Sequence, residues 1–168
     1  MVRLHASLIN STSNKRSNIC VNSLETYGAK VDVLKSALGG TVPLGEIEKA
    51  LKEAQKTTGS KKGHYKMVTI THVDTSTGVL SDARAIAACV KRVSPETLVV
   101  LDAVCSVASE DVQMDAWGLD VILTASQKGL GAPPGLSILV ASQRVISAFE
   151  DRIKRGVKSG SFYSSWQK

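Results

Sequence analysis

Two residues placed just after apolar runs carry the chemistry that can be read from this sequence. Asp102 follows Leu98-Val99-Val100-Leu101, and Lys128, 26 positions later, lies beyond a second strand expected at 119–123. A carboxylate directly after four apolar strand residues is costly to bury unless something pairs with it. It either caps the next helix or holds a cation at the edge of a sheet. Lys128 sits between Ser126-Gln127 and the small-residue run Gly129-Leu130-Gly131-Ala132-Pro133-Pro134-Gly135. Small residues let a cofactor or another backbone approach closely. A buried lysine also loses its proton more readily, as an imine-forming amine must. Most lysines are simply solvated, so the pair says more than either member. An amine can hold an aldehyde as a Schiff base, and a carboxylate can keep a pyridine nitrogen protonated. Pyridoxal phosphate needs that combination to accept electrons from a substrate Cα carbanion.

For the pair to meet, successive strand ends must lie side by side, and the order of elements provides this. A strand is predicted at 31–34, after the helix stop Tyr27-Gly28. Leu44, Ile47, Ala50, Leu51 and Ala54 recur at helical spacing, with Pro43 tolerated in the first turn. Residues 57–63 read as a polar, basic loop. The strand Met67-Val68-Thr69-Ile70 ends in the hydroxyl-rich turn Thr71-His72-Val73-Asp74-Thr75-Ser76-Thr77-Gly78. A helix follows over 82–93, with Ser81 as its N-cap. The unbroken apolar run 98–101 predicts a strand buried on both faces. Strands at 119–123 and 136–140 and a helix beginning near Ser142 complete the series. Strands separated by helices imply an α/β fold, a mostly parallel sheet flanked by helices with right-handed crossovers. Ligands bind outside the carboxyl ends of such strands. That rule selects the Thr75 turn, Asp102 with its followers, and residues 124–128.

Composition narrows the alternatives. The chain has 168 residues, 43% hydrophobic and 21% charged, enough for one domain with a real core. Its apolar runs fall far short of the ~20 residues that span a bilayer. The formal charge of +6 is spread over Lys15-Arg16, Lys61-Lys62 and a C-terminal set including Arg144, Arg152, Lys154, Arg155, Lys158 and Lys168. No aromatics interleave with these residues as base-stacking would require, so a nucleic-acid partner is not expected. Cys20, Cys89 and Cys105 form no C-x-x-C pair, and His5, His64 and His72 add no metal-ligand spacing. That points to a reducing compartment and no metal. Cys89 and Cys105 read as small buried hydrophobes. Neither G-x-G-x-x-G nor a P-loop is present, which argues against a nucleotide-binding domain. The first 24 residues, with three basic residues, no acid and many Ser and Asn, bear a faint likeness to a mitochondrial transit peptide, and residues 1–18 read as a poorly ordered tail.

The segments Thr71-His72-Val73-Asp74-Thr75-Ser76-Thr77-Gly78, Val100-Leu101-Asp102-Ala103-Val104-Cys105-Ser106 and Ser126-Gln127-Lys128-Gly129-Leu130-Gly131-Ala132-Pro133-Pro134-Gly135 resemble, in order and spacing, the class V aminotransferases. Within these the chain is most similar to the alanine–glyoxylate (serine–pyruvate) aminotransferases of fungal type, from about residue 23 to 163. The resemblance implies part of the large domain of a fold-type I pyridoxal-phosphate transferase over 19–160. Residues 161–168 would begin the connection to a small C-terminal domain. It also implies that Lys128 is the Schiff-base lysine and the base of the proton shift, and that Asp102 pairs with the pyridine nitrogen. Val104 would pack on the ring, Thr75 would bond its polar rim and Gln127 its phosphate end. Val104 also reads as a core valine, and Ser76 and Ser126 as turn hydroxyls satisfying local backbone. The related cysteine desulfurases carry histidine directly before the lysine; Gln127 stands there here, which favours transamination.

Family members are longer. The Gly/Ser/Thr phosphate turn, the ring-stacking aromatic and the arginine that clamps the substrate carboxylate have no counterpart in residues 1–168. Trp117 and Trp166 are wrongly placed to stack. The activity the resemblance implies is alanine plus glyoxylate to pyruvate plus glycine, with serine–pyruvate or serine–glyoxylate exchange as the alternative donor reading. A truncated chain with little activity of its own, or a non-catalytic remnant that only binds or dimerises, is the competing reading. The resemblance implies amino-acid and 2-oxo-acid substrates, a homodimer in the full-length family, and a peroxisomal site, with mitochondrion or cytosol as alternatives.

Overall fold

The computed structural model describes residues 4–9, 15–58 and 65–157. Among these residues the strands are β1 (Leu4–Ile9), β2 (Ala29–Leu34), β3 (Met67–Thr71), β4 (Leu98–Asp102), β5 (Val121–Ala125) and β6 (Ser137–Ala141). The helices are α1 (Lys15–Thr26), α2 (Leu44–Thr58), α3 (Ala83–Val93), the single turn α4 (Met114–Trp117) and α5 (Gln143–Lys154). The strands form one sheet in the order β2-β1-β3-β4-β5-β6. Its first five members pair in parallel, and β6 runs antiparallel to β5. The odd direction of β6 has a simple cause. A loop at 126–136 joins it to β5, whereas a parallel neighbour needs a longer crossover.

The core lies on one face of this sheet. Val68 and Ile70 of β3 pair with Val99 and Leu101 of β4, and all four are almost completely buried. Ile47, Leu51 and Ala54 of α2 and Ile86, Ala87 and Val90 of α3 cover them at helical spacing. Each such Val, Leu or Ile side chain contributes about 1.5–3 kcal/mol on burial. The N-cap of α3 is Asp82, whose carboxylate accepts from the Ala85 N–H at 2.9 Å, not the expected Ser81. Ser81 is buried instead, its N–H donating to the His72 carbonyl. The helix expected near Ser142 is α5, with Ser142 as its N-cap, and Gly28, at φ +84°, turns the chain after α1.

Three expectations change. β4 is fully buried on one face only, because Leu98, Val100 and Asp102 alternate with the core residues and stay half-buried. Residues 1–18 are not simply a tail: β1 occupies the sheet between β2 and β3, with Ala6 opposite Met67 and Leu8 opposite Thr69. Its Leu4-His5-Ala6-Ser7-Leu8 alternation has the period of a strand, a pattern the surrounding Ser and Asn residues obscure. Thr57 and Thr58 belong to α2, while 59–63 of the expected loop, and residues 161–168, lie outside the described residues.

The strand order reverses between β1 and β3. In open α/β sheets such a switch marks the ligand crevice; the carboxyl end of β3 flanks it, and those of β4 and β5 follow along the sheet.

Candidate active site

Register brings the three ends level. Thr71 is opposite Asp102, and Asp102 is opposite Leu123. The ladder runs one step further through His72 N–H to Asp102 O (3.0 Å) and Ala103 N–H to Leu123 O (2.9 Å).

Beyond β3 the chain folds back on itself, closed by a bridge between Val73 and Leu80. Asp74 shapes this turn. Its buried carboxylate accepts from the Ser76 N–H (2.7 Å), the Thr77 N–H (3.2 Å) and the Ser76 hydroxyl. Ser76 is thus satisfied locally, while Thr75 is left exposed at the tip. Its hydroxyl lies 2.9 Å from Cys105 Sγ, joining the β3 turn to the segment after β4. Cys105 is half-buried and touches Thr75, not the fully buried small hydrophobe expected; Cys89 is buried as expected.

Asp102 ends β4 half-buried. Burial pushes its carboxyl above the usual carboxylate range, and the Val104 N–H, donating to Oδ1 at 3.2 Å, opposes that shift. No lysine or arginine among the described residues pairs with it. The helix-cap reading fails because residues 103–109 form tight turns, not a helix. A desolvated carboxylate lacking a cation, at the mouth of the sheet, suits a group that brings a positively charged N–H. On that observation the residues fit pyridoxal phosphate. Val104 is half-buried beside it.

The loop after β5 hangs on Ser126. This buried hydroxyl donates to Pro133 O (2.7 Å) and accepts from the Leu136 N–H (3.3 Å), a local structural role. Ala132 N–H to Ser126 O (3.0 Å) and Gly131 N–H to Lys128 O (2.9 Å) close the loop. Gln127 and Lys128 are both exposed, so the buried amine expected from the flanking sequence is not found. Among the described residues no hydrogen bond joins either of them to Asp102 or Thr75.

Sequence reasoning passed over His72. It is buried, its Nδ1 lies 2.9 Å from Ser106 Oγ, and its ring meets Trp117 edge to face at 6.0 Å. Burial lowers the imidazole pKa. The one available signal was a polar residue directly after a buried strand. No group of three or more His, Cys, Asp or Glu residues that could hold a metal occurs among the described residues. No helix there is long and apolar enough to cross a membrane.

The class-V aminotransferase family matches residues 3–164. The chain belongs to that family. Alanine–glyoxylate aminotransferase 1 of Saccharomyces cerevisiae is 46% identical over 142 residues, 84% of this chain and 34% of that protein. L-aspartate–glyoxylate aminotransferase of Paracoccus denitrificans is 33% identical, over 77% of this chain and 31% of its own length. The chain thus spans about a third of the curated relatives it matches. Among solved structures, alanine–glyoxylate aminotransferase from Nostoc sp. superposes with a TM-score of 0.73 at 26% identity, covering 98% of this chain and 39% of that one. Ureidoglycine–glyoxylate aminotransferase from Bacillus subtilis, at 24% identity and a TM-score of 0.75, shares the fold over 95% of this chain and 38% of its own.

Proposed function

We propose that the protein carrying this chain is a pyridoxal-phosphate-dependent aminotransferase that converts alanine and glyoxylate to pyruvate and glycine. One observation carries the reading. Asp102 presents a desolvated carboxylate without a cation at the level strand ends of β3, β4 and β5, in a chain 46% identical to a yeast alanine–glyoxylate aminotransferase.

When bound, the cofactor supplies an electron sink for the substrate Cα carbanion. The chain's own residues bind and orient it. Asp102 would accept a hydrogen bond from the protonated ring nitrogen. The same burial that penalises a lone carboxylate strengthens its attraction to that charge. Val104 N–H already holds Oδ1 in place at 3.2 Å. Lys128, exposed on its loop, would supply the amine that first holds the cofactor and then moves the proton at the substrate Cα. Thr75, displayed by the Asp74 turn, would bond the polar rim, Gln127 would lie toward the phosphate, and Val104 would pack on the ring. No residue of this chain is assigned to the substrate carboxylate.

The test is transamination with glyoxylate by the cofactor-loaded protein, comparing alanine, serine and aspartate as donors. The proposal expects alanine to give the highest kcat/KM. Preference for serine or aspartate would overturn the donor, and no turnover with any of them would overturn the activity.

A further inference from the structure

The lysine that the proposed function relies on sits on an exposed loop, so something outside that loop must set its position. Gly129, the next residue, shows what. Its φ is not in the left-handed region, unlike Gly131 and Gly135 on the same loop, so backbone freedom is not the reason for glycine here. The reason is space. A Cβ on Gly129 would overlap the Val107 carbonyl oxygen and lie 2.6 Å from Ser109 Oγ. Val107 belongs to the turn that follows Asp102. A backbone oxygen, unlike the end of a flexible side chain, cannot step aside.

That turn is held from both sides. His72, just past β3, bonds Ser106 Oγ through Nδ1 at 2.9 Å. Ser106 N–H and Val107 N–H both donate to Ala103 O, at 3.1 and 3.0 Å, and Glu110 N–H donates to Ser106 O at 2.7 Å. Between them Ala108 takes a left-handed φ of +67°, a conformation that costs a non-glycine residue about 1–2 kcal/mol. Surrounding bonds therefore have to impose it, and they fix the direction of the Val107 carbonyl.

We propose that the turn at 103–110 is a seat for the lysine loop and that Gly129 is a positioning residue, its missing side chain letting the loop close onto Val107 so that Lys128 is held beside Asp102. The cofactor half of this inference rests on the proposed function; the seat itself does not. Displacing a reacting group by about 1 Å can cost on the order of a hundredfold in rate, so a methyl group at the contact has a measurable consequence.

The experiment compares the full chain with Gly129→Ala and with Gly45→Ala, a control at an α2 glycine whose added Cβ meets nothing within 4 Å. Hydrogen exchange in cofactor-free protein should show the Gly131 and Ala132 amides less protected in Gly129→Ala alone, with β3 and β4 unchanged. After loading with pyridoxal phosphate, borohydride trapping at Lys128 should slow on the order of a hundredfold in that variant, again by the positional argument. Ala108→Gly keeps the experiment decisive should Gly129→Ala not fold, because glycine accepts φ +67° without strain. Removing that strain steadies the seat and should lower exchange at the same two amides without slowing the trapping. Unchanged exchange and trapping in the folded variants would overturn the inference. Rescue of Gly129→Ala by Ser109→Ala would also overturn it, by making the hydroxyl and not the carbonyl the point of contact. Wild-type protein that traps cofactor elsewhere than Lys128 would overturn the proposed function and the positioning role with it, whereas the exchange result judges the seat alone.

Discussion

At the scale of single residues, Asp102 carries the most information, because folding and its proposed role pull in opposite directions. Burial raises its pKa, so without a cofactor the ionised carboxylate costs stability. A raised carboxyl pKa means that the native state binds more protons than the unfolded chain, so stability falls as pH rises through the range between the ordinary and the raised values. Asp102→Asn should therefore raise the Tm of cofactor-free protein at neutral pH, and the gain should shrink as pH drops below the ordinary carboxylate value. Thermal melts at a series of pH values check this. The same substitution should lower transamination by about two orders of magnitude or more, the scale of losing one preorganised charge. A folded Asp102→Asn protein with wild-type turnover would reduce Asp102 to a local tie for the Val104 N–H. Cys105 and Thr75 couple across the same mouth, yet neither residue alone betrays it. Their contact joins positions 30 apart and leaves no trace in local sequence.

At the scale of elements, two ionic ties fix the helices, at opposite depths. Asp120, just before β5, is buried at 3% exposure; it accepts from the Val99 N–H and Lys91 Nζ, both at 2.8 Å, with Arg144 at 3.5 Å. It joins β4, α3 and α5. Asp120→Ala leaves two cations facing a buried gap and should destabilise the fold by about 3 kcal/mol in denaturant titrations. Glu48 of α2 instead meets Arg92 of α3 through two bonds, at 3.2 and 3.0 Å, with Lys52 at 2.6 Å, and these hold its carboxyl down at about 2. That tie is present above the ordinary Glu value of 4.5 and is lost as pH falls toward about 2. Glu48→Gln should therefore remove a small stabilising increment at neutral pH and flatten the acid limb of the unfolding profile by that same amount, small because solvent screens the pair. Most of these elements were legible in the sequence, because α2, α3, β3 and β4 carry clear periods and β5 a short apolar run. β1 was not, with its alternation lost in Ser- and Asn-rich surroundings. The strand-end rule selected the Thr75 turn, Asp102 and residues 124–128, and these segments lie at or just beyond the ends of β3, β4 and β5. The exposure of Lys128 and the bond from His72 to Ser106 depend on how loops close, which no local pattern encodes.

At the scale of the whole molecule, the sheet has a finished side and an open one. Toward α2 and α3 the core is apolar and buried, but β6 is an edge strand of the described sheet with Leu139 44% and Val140 50% exposed, and Leu136 before it 66% exposed. α5, beside it, buries no residue completely. Apolar side chains along an unpaired edge promote association. The 168-residue chain by itself should self-associate, and Leu139→Lys should shift it toward a monomer by sedimentation; an equally dispersed wild type would show that this edge is inert. The site lies at the other end of the argument, where three parallel strand ends are drawn level by register and tied to one another by loops. The central claim is that Asp102 and Lys128 on neighbouring ends hold one pyridoxal phosphate, and covalent mapping addresses it most directly. Protein loaded with pyridoxal phosphate is reduced with borohydride, digested, and the labelled peptide sequenced by mass spectrometry. The label is expected on Lys128 and on no other lysine; label on a different lysine, with Lys128 unmodified, would contradict the account.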